Sequence, residues 1–471
     1  MLNQTLQEKY PHLEISVLKL SEVQKDNESK RIDSEFFKKE YFDAMETMQL
    51  NQVEYLGDNM KFNSRYSQPK YDETSKIKVI NSQYIRNEYI DYENAKSGYG
   101  KIVPKESVLI NATGVGTLGR VFINILDFDF SIDSHINVIV VKNKTYLNPY
   151  FLAIFLQSYY GQIQIIRYYS GTSGQIEIYP RDFNYFKIPI FPMEFQLEIQ
   201  NLVKDSHKAL EESKELYKKA EETLYLELGL DPKNPLQSLL DSKTNNPTNS
   251  PNISIHTLKE SFLKTGRLDS EYYQSKYEDI EKFIKSYPNG YDSFSSIINN
   301  KDTNFTPKNN ENYSYIELAN IGNNGNISEP ISDLGKNLPT RARRIVSKGD
   351  VIISSIEGSL SSCALITQEF DKHLVSTGFF VLNSKLLNGE TLLVMFKSQI
   401  FQEYLKKFPS GTILCAINKE ELSKILISKI DSTTQEKIAK YIQESFNLRK
   451  KSKQLLDNAK IKVEEQIQGK I

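Results

Sequence analysis

Apolar positions along the chain follow two distinct periods, separated by stretches with none. From Pro192 to Leu228 the residues Ile199, Leu202, Val203, Ser206, Ala209, Leu210, Ser213, Leu216, Tyr217, Ala220 and Leu224 recur at alternating steps of three and four. That spacing predicts one long helix with a narrow seam, the pattern of a coiled-coil face rather than a broad core face. Residues 431–468 repeat it: Gln196/Gln435, Ile199/Ile438, Ser206/Ser445, Ser213/Ser452, Leu216/Leu455 and Ala220/Ala459 are identical pairs at a constant offset of 239. Pro192 suits the first turn of the first helix, and Ser432-Thr433-Thr434-Gln435 predicts a capping box for the second. Serine and alanine in the seam allow close approach, so the two helices are expected to pair antiparallel with each other.

Period-two and continuous apolar runs at Ser107–Ala112, Arg120–Leu126 and Ile136–Val141, rich in Val and Ile, predict strands. Arg31–Gln49 reads as a helix capped near Asp33, and Leu147–Arg167 as an amphipathic helix. The tract 53–94 is polar and predicts loops and edge strands. The whole series then returns: RIDSEFF at 31–37 as RLDSEYY at 267–273, SVLINAT at 107–113 as DVIISSI at 350–356, and SGT at 170–172 again at 410–412. The chain is a tandem duplication, its halves joined by a Pro- and Asn-rich linker at 231–252 with little capacity to bury anything. Tract 53–94 and its counterpart near 287–345 share almost no identity. Two similar scaffolds with dissimilar polar surfaces predict two similar tasks on two different ligands.

Length and composition narrow this reading. The 471 residues suffice for two or three domains, and 25% charged with 39% hydrophobic residues is the balance of an ordinary globular protein. A net charge of -1, from 59 basic and 60 acidic residues, argues against indiscriminate coating of nucleic acid or membrane but allows a local basic face. Two cysteines, no signal-like start and no apolar run of membrane-spanning length lead us to expect a cytoplasmic protein.

Catalytic signatures are weak. Gly114–Gly119 fits G-x-G-x-x-G, but a strand-like run follows where a nucleotide site needs a helix, so a hairpin turn is expected. Asn148-Pro149-Tyr150-Phe151 resembles the base-holding loop of adenine methyltransferases, yet it reads as the start of a helix. The five histidines have no ligand spacing, and no nucleophile elbow, P-loop or nuclease carboxylate pair is present. A binding protein with no catalytic residue and no metal is expected. Candidate contacts to DNA lie in the polar tracts: Arg65, Tyr66, Lys70, Tyr84 and Arg86 in the first copy, Arg341, Arg343 and Arg344 in the second, and Thr172, Ser173 and Thr412 in the two SGT loops. Guanidinium groups suit phosphate and guanine edges, and interleaved aromatics suit nucleic acid.

Together these features resemble the specificity subunits of type I restriction–modification enzymes. The resemblance rests on the tandem domains each followed by a long helix, the VLINATGVGTLGR segment, the SGTSGQI loop leading to Ile188-Pro189, and the Gln196/Ile199 and Gln435/Ile438 pairs. The second copy departs from it, with Ile427-Ser428 and SGTILCAI at the matching places. The resemblance implies a mixed α/β fold with two target-recognition domains at 1–191 and 253–430. The helices, at 192–230 and 431–471, hold the domains apart. It also implies double-stranded DNA as ligand, two methyltransferase subunits and restriction/translocase subunits as partners, and no membrane. S-adenosylmethionine, ATP and Mg²⁺ would belong to those partners, with no cofactor on this chain. A stand-alone DNA methyltransferase and a protein-interaction scaffold are the alternatives.

Overall fold

The computed structural model describes residues 2–15, 17–171, 174–241, 255–322, 324–411 and 415–470. The chain divides into two compact units, Met1–Glu211 with Arg449–Ile471, and Glu212–Leu448.

In the first unit the strands are β1 (Val53–Tyr55), β2 (Met60–Arg65), β3 (Lys70–Tyr71), β4 (Lys78–Ile80), β5 (Lys96–Tyr99), β6 (Val108–Asn111), β7 (Val121–Ile123), β8 (Phe130–Ile132), β9 (Ile136–Val141) and β10 (Lys187–Pro189). They form an antiparallel sheet ordered β2-β9-β6-β7, a second sheet ordered β3-β5-β4-β8, and the pair β1-β10. Strand alternation sends Val108, Ile110 and Ile139 into one core and Leu109, Phe122 and Val138 into another. With both faces covered, β6 and β9 read as continuous apolar runs.

The first core is filled by helices Pro149–Gln157 and Tyr159–Tyr168. One helix was expected here. The chain instead turns at Ser158, whose hydroxyl donates to Phe155 O, and Gly161 lies so close that a Cβ would stand 2.3 Å from that same carbonyl oxygen. Nor is the first segment amphipathic, since every residue from Pro149 to Leu156 is buried. Phe151 and Phe155 each contribute roughly 1.5–3 kcal/mol by burial.

The second unit holds β11 (Tyr291–Ser293), β12 (Ile298–Asn300), β13 (Asn312–Ile316), β14 (Ile331–Leu334), β15 (Ala342–Ile345), β16 (Val351–Ser354), β17 (Cys363–Leu365), β18 (Leu374–Ser376), β19 (Phe379–Ser384) and β20 (Leu426–Ser428). Its first sheet, β12-β19-β16-β17, has the same order as in the first unit. Its second, β14-β13-β18-β15, keeps the trio β5-β4-β8, parallel pair included, as β14-β13-β18. The fourth strand is added at the opposite edge, β3 beside β5 in one unit and β15 beside β18 in the other. The polar tracts therefore share a framework that their sequences hide.

Long helices run Met193–Glu227 and Ser432–Ile467. Within the first unit Ser206 Oγ donates to Ser452 O at 2.9 Å and Lys462 pairs with Glu198 at 2.7 Å. Within the second, Ser445 Oγ donates to Ser213 O at 2.7 Å and Thr434 Oγ1 to Glu227 at 2.7 Å. In each unit, successive contacts run in opposite directions along the two segments.

Three further expectations are corrected. The helix predicted from Arg31 begins only at Lys39, because Asp33 accepts hydrogen bonds from the Arg31 side chain and from Phe36 N and closes a tight turn. The cap of the second long helix is Asp431, which accepts from Thr433 N and Thr434 N, rather than the Ser432 box. Pro235–Asp241 of the predicted linker is a short helix whose Leu239 is buried in the second core, since Leu236 and Leu239 share one face at helical spacing. Residues 242–254 lie outside the described residues.

Gln435 does not complete a capping box. Its Oε1 accepts from Asn388 N at 2.9 Å, and its Nε2 donates to Leu386 O and Ile430 O. Gln196 repeats the arrangement, accepting from Asn148 N at 2.7 Å and donating to Tyr146 O and Phe191 O. Asn148 and Asn388 in turn cap the next helix by accepting from Tyr150 N and Thr391 N. Each glutamine thus bolts the start of a long helix to the turn that follows β9 or β19 and to the cap of the buried helix beyond. Replacing Gln196 by Ala strands one buried N–H and two carbonyls, and should cost roughly 2–3 kcal/mol. Urea unfolding of Gln196→Ala should show an early transition for the first unit, and Gln435→Ala the same for the second; midpoints equal to the parent's would refute the clamp.

Candidate nucleic-acid interface

In each unit two loops are tied side by side. In the first, the turn between β6 and β7 carries Gly114, Gly116 and Gly119 at positive φ of 91°, 80° and 82°, a hairpin tip with no helix following. The SGT loop closes on itself through paired backbone bonds between Ser170 and Glu177, and Gly114 N donates to Ile176 O. In the second unit Ser410 and Ala416 close the loop in the same way, and Glu357 N donates to Cys415 O. The chemistry of the two tips differs: Val115 stands exposed between glycines in the first, whereas Ser354 and Ser359 bond each other at 2.8 Å in the second.

The base of each SGT loop is held by the RID or RLD arginine. Arg31 donates to Arg167 O and Tyr169 O, while Arg267 donates to Phe408 O and Pro409 O. Sequence reading saw this repeat but assigned it to a helix; the signal missed was an Arg-x-Asp pair returning together with the loop. In the first unit Arg31 and Asp33 also line a cleft of about 440 Å³ with Tyr169, Ser170, Tyr179 and Arg181.

The predicted contacts fall into separate places. Arg65, half-buried at the end of β2, forms an ion pair with Glu177, donates to Ile178 O, and lies 5.7 Å from the centre of the Tyr179 ring. Arg181 lies 5.3 Å from the same ring, so Tyr179 is flanked by two guanidinium groups beside the SGT loop. Tyr66 is buried at 6% exposure beneath Lys101, whose ammonium sits 4.8 Å over its ring. Lys70 is exposed on β3 with Tyr71, opposite Tyr99 of β5. Tyr84 and Arg86 occupy the loop after β4, where Arg86 donates to Gln83 O and Ile85 O.

In the second unit the three arginines spread out around β15. Arg341 is exposed near Glu317, Arg343 donates to Thr340 O, and Arg344 donates to Phe379 O with burial lowering its pKa. Thr172, Ser173 and Thr412 lie outside the described residues. Lys101, Tyr179 and Arg181 were missed, because each is a lone residue in a loop with no periodic signal. No metal-binding group of three ligands and no helix long and apolar enough to cross a membrane occurs among the described residues.

Residues 43–222 match the family model described as type I restriction modification DNA specificity domain. A curated relative, the type I restriction enzyme HindI specificity subunit of Haemophilus influenzae, is 29% identical over 129 residues, which span 26% of this chain and 28% of that protein. Solved structures similar to the chain include a type I restriction-modification S subunit from M. genitalium, at 12% identity and TM-score 0.41, covering 89% of this chain and 95% of that one. The HsdS subunit from Thermoanaerobacter tengcongensis matches at 13% identity and TM-score 0.28, covering 89% and 97%.

The Arg31–Asp33 and Arg267–Asp269 pairs give a test by pH. The guanidinium hydrogen bonds hold Asp33 and Asp269 below the usual carboxylate range. A carboxyl whose folded pKa is depressed contributes stability above its unfolded pKa near 4, and loses that contribution as pH falls through the folded value. Asp33→Asn and Asp269→Asn should therefore lower urea midpoints at neutral pH and converge on the parent at strongly acidic pH. An equal penalty at both would exclude the ion pairs as the cause.

Proposed function

We propose, from the match of residues 43–222 to the type I restriction modification DNA specificity domain, that the whole chain reads a two-part DNA sequence, one part per unit. The observation that carries this reading is the loop pair built twice on one scaffold, with unlike tips: glycines around an exposed Val115 in one unit, Glu357 and serines in the other. Similar frames with unlike tips suit two different base sequences, read by side chains in the major groove while cations contact phosphate. The domains at 1–191 and 253–430 would be the two readers.

The long helices act as the spacer, pairing as an antiparallel coiled coil. Serine contacts inside each unit support this, as do the two glutamine clamps that fix where each helix starts. A helix of 35 residues is about 52 Å long, comparable with one to one and a half turns of duplex. Their exposed Lys- and Glu-rich faces would dock two methyltransferase subunits, with restriction/translocase subunits joining for cleavage. Methylation and cleavage then belong to those subunits, which bring S-adenosylmethionine, ATP and Mg²⁺.

In cells making this chain with its methyltransferase, a genome-wide map of methylated bases should give one split motif; an uninterrupted motif would sink the two-reader scheme. Inserting seven residues into each long helix should widen the gap in that motif by about 3 base pairs, from roughly 10.5 Å of added helix. An unchanged gap in an assembled complex would eliminate the helices as spacer.

A further inference from the structure

Two arginines of the first unit meet where no acid awaits them. Arg86 Nη1 and Arg120 Nη1 both donate to the carbonyl oxygen of Ile85, at 3.1 and 3.3 Å. Arg120 Nη2 reaches on to Gly116 O at 2.7 Å, which places the pair against the glycine-rich hairpin tip. Both residues are half-buried. Among the described residues neither forms an ion pair; Glu88 and Asp91 belong to the same loop but do not bridge to them, and Asp91 instead accepts from Asn94. Burial raises the pKa of the nearby Tyr89 hydroxyl, with Arg86 and Arg449 opposing that rise and Asp91 and Glu88 adding to it. Burial and the Arg86 charge together push the Arg120 guanidinium below its ordinary pKa.

Two like charges that share Ile85 O, with Gln83 O a further acceptor for Arg86 and Gly116 O for Arg120, repel each other across a partly desolvated gap. Neutral carbonyls cannot cancel their charge, and a tetrahedral oxyanion can accept from both forks at once. The loops around them are fixed: Asn87 Oδ1 accepts from Val121 N, and Gln157 Nε2 donates to Asn87 O and Val121 O. Among the described residues the second unit has no equivalent, because Ser362 stands where Arg120 does, each giving its carbonyl to the last residue of the central strand.

We infer that Arg86 and Arg120 form a phosphate-binding site confined to the first unit, beside the hairpin tip. The phosphate comes either from the backbone of bound duplex, which rests on the proposed function, or from free phosphate, which does not. The pair would then set how firmly the first hairpin is held against its ligand, while leaving the choice of bases to the tip.

The test uses the 471-residue chain and three variants: Arg120→Ser, which copies the second unit, Arg86→Gln, and Arg120→Lys, which keeps charge but loses the fork. Circular dichroism establishes that each folds. Thermal unfolding is followed in inorganic phosphate and in chloride at matched ionic strength, and binding of a random-sequence duplex pool is followed across salt concentration.

If the source is free phosphate, phosphate raises the first unit's unfolding midpoint in the parent, the rise is absent in Arg120→Ser and Arg86→Gln, and Arg120→Lys retains part of it. If the source is duplex, each neutral variant lowers the slope of log affinity against log salt by about 0.9, with no phosphate effect on unfolding. Parent and variants alike in both measurements overturns the site. A phosphate effect in a parent that never binds duplex would refute the DNA reading and leave the site standing.

Discussion

A buried glutamine at the start of each long helix is the contact on which the other arrangements depend. Gln196 is 0% exposed and Gln435 is 7% exposed, and each makes three hydrogen bonds to backbone that would otherwise be stranded. An amide is suited to this place because it both accepts and donates without a charge to desolvate. It joins the end of the central sheet, the cap of the buried helix and the first turn of the long helix in a single node. Leucine would fill the volume but leave three polar groups unpaired. The identity of this pair across the two copies is thus a hydrogen-bonding requirement, whereas Ile199 and Ile438 beside it serve packing.

The same backbone elsewhere accepts different solutions. Arg167 is buried at 4% exposure, with its guanidinium carbon 3.7 Å from the centre of the Tyr41 ring and 4.2 Å from that of Phe36. Its counterpart Lys407 reaches Glu281 at 2.5 Å, with Tyr272 alongside. One unit stabilises a buried cation with aromatic faces alone, the other a half-buried cation with a carboxylate as well as aromatic faces. Identity between the copies is therefore a poor guide to equivalence of environment here, because two chemistries meet one electrostatic need.

Much of this architecture was legible because it is periodic or repeated. The three-four seam gave both long helices to within a residue or so, and the Val/Ile runs gave β6, β7 and β9, since buried faces leave regular traces in sequence. What escaped was local and non-periodic. The turn at Asp33 competes with helix formation through one side-chain hydrogen bond, and the break at Ser158 depends on Gly161 fitting under Phe155. At the candidate site, Arg65 and Arg86 could be proposed from residue type alone. Nothing in residue type shows that Tyr66 lies under Lys101, or that Arg181 meets Tyr179 across a loop.

The fourth strand of the second sheet sits on one edge in the first unit and on the other in the second. Three strands, including the parallel pair, are common to both; two of them, with the added strand, lie in the chain between β2 and β6, or between β12 and β16, while β8 and β18 lie between β7 and β9 and between β17 and β19. The polar tract is thus a loop-and-strand insert between fixed attachment points. Its outer part can be exchanged, lengthened or rebuilt on either edge without disturbing the glutamine node or the register of the central sheet. Such a layout lets a lineage acquire a new surface by swapping a cassette instead of evolving a new fold.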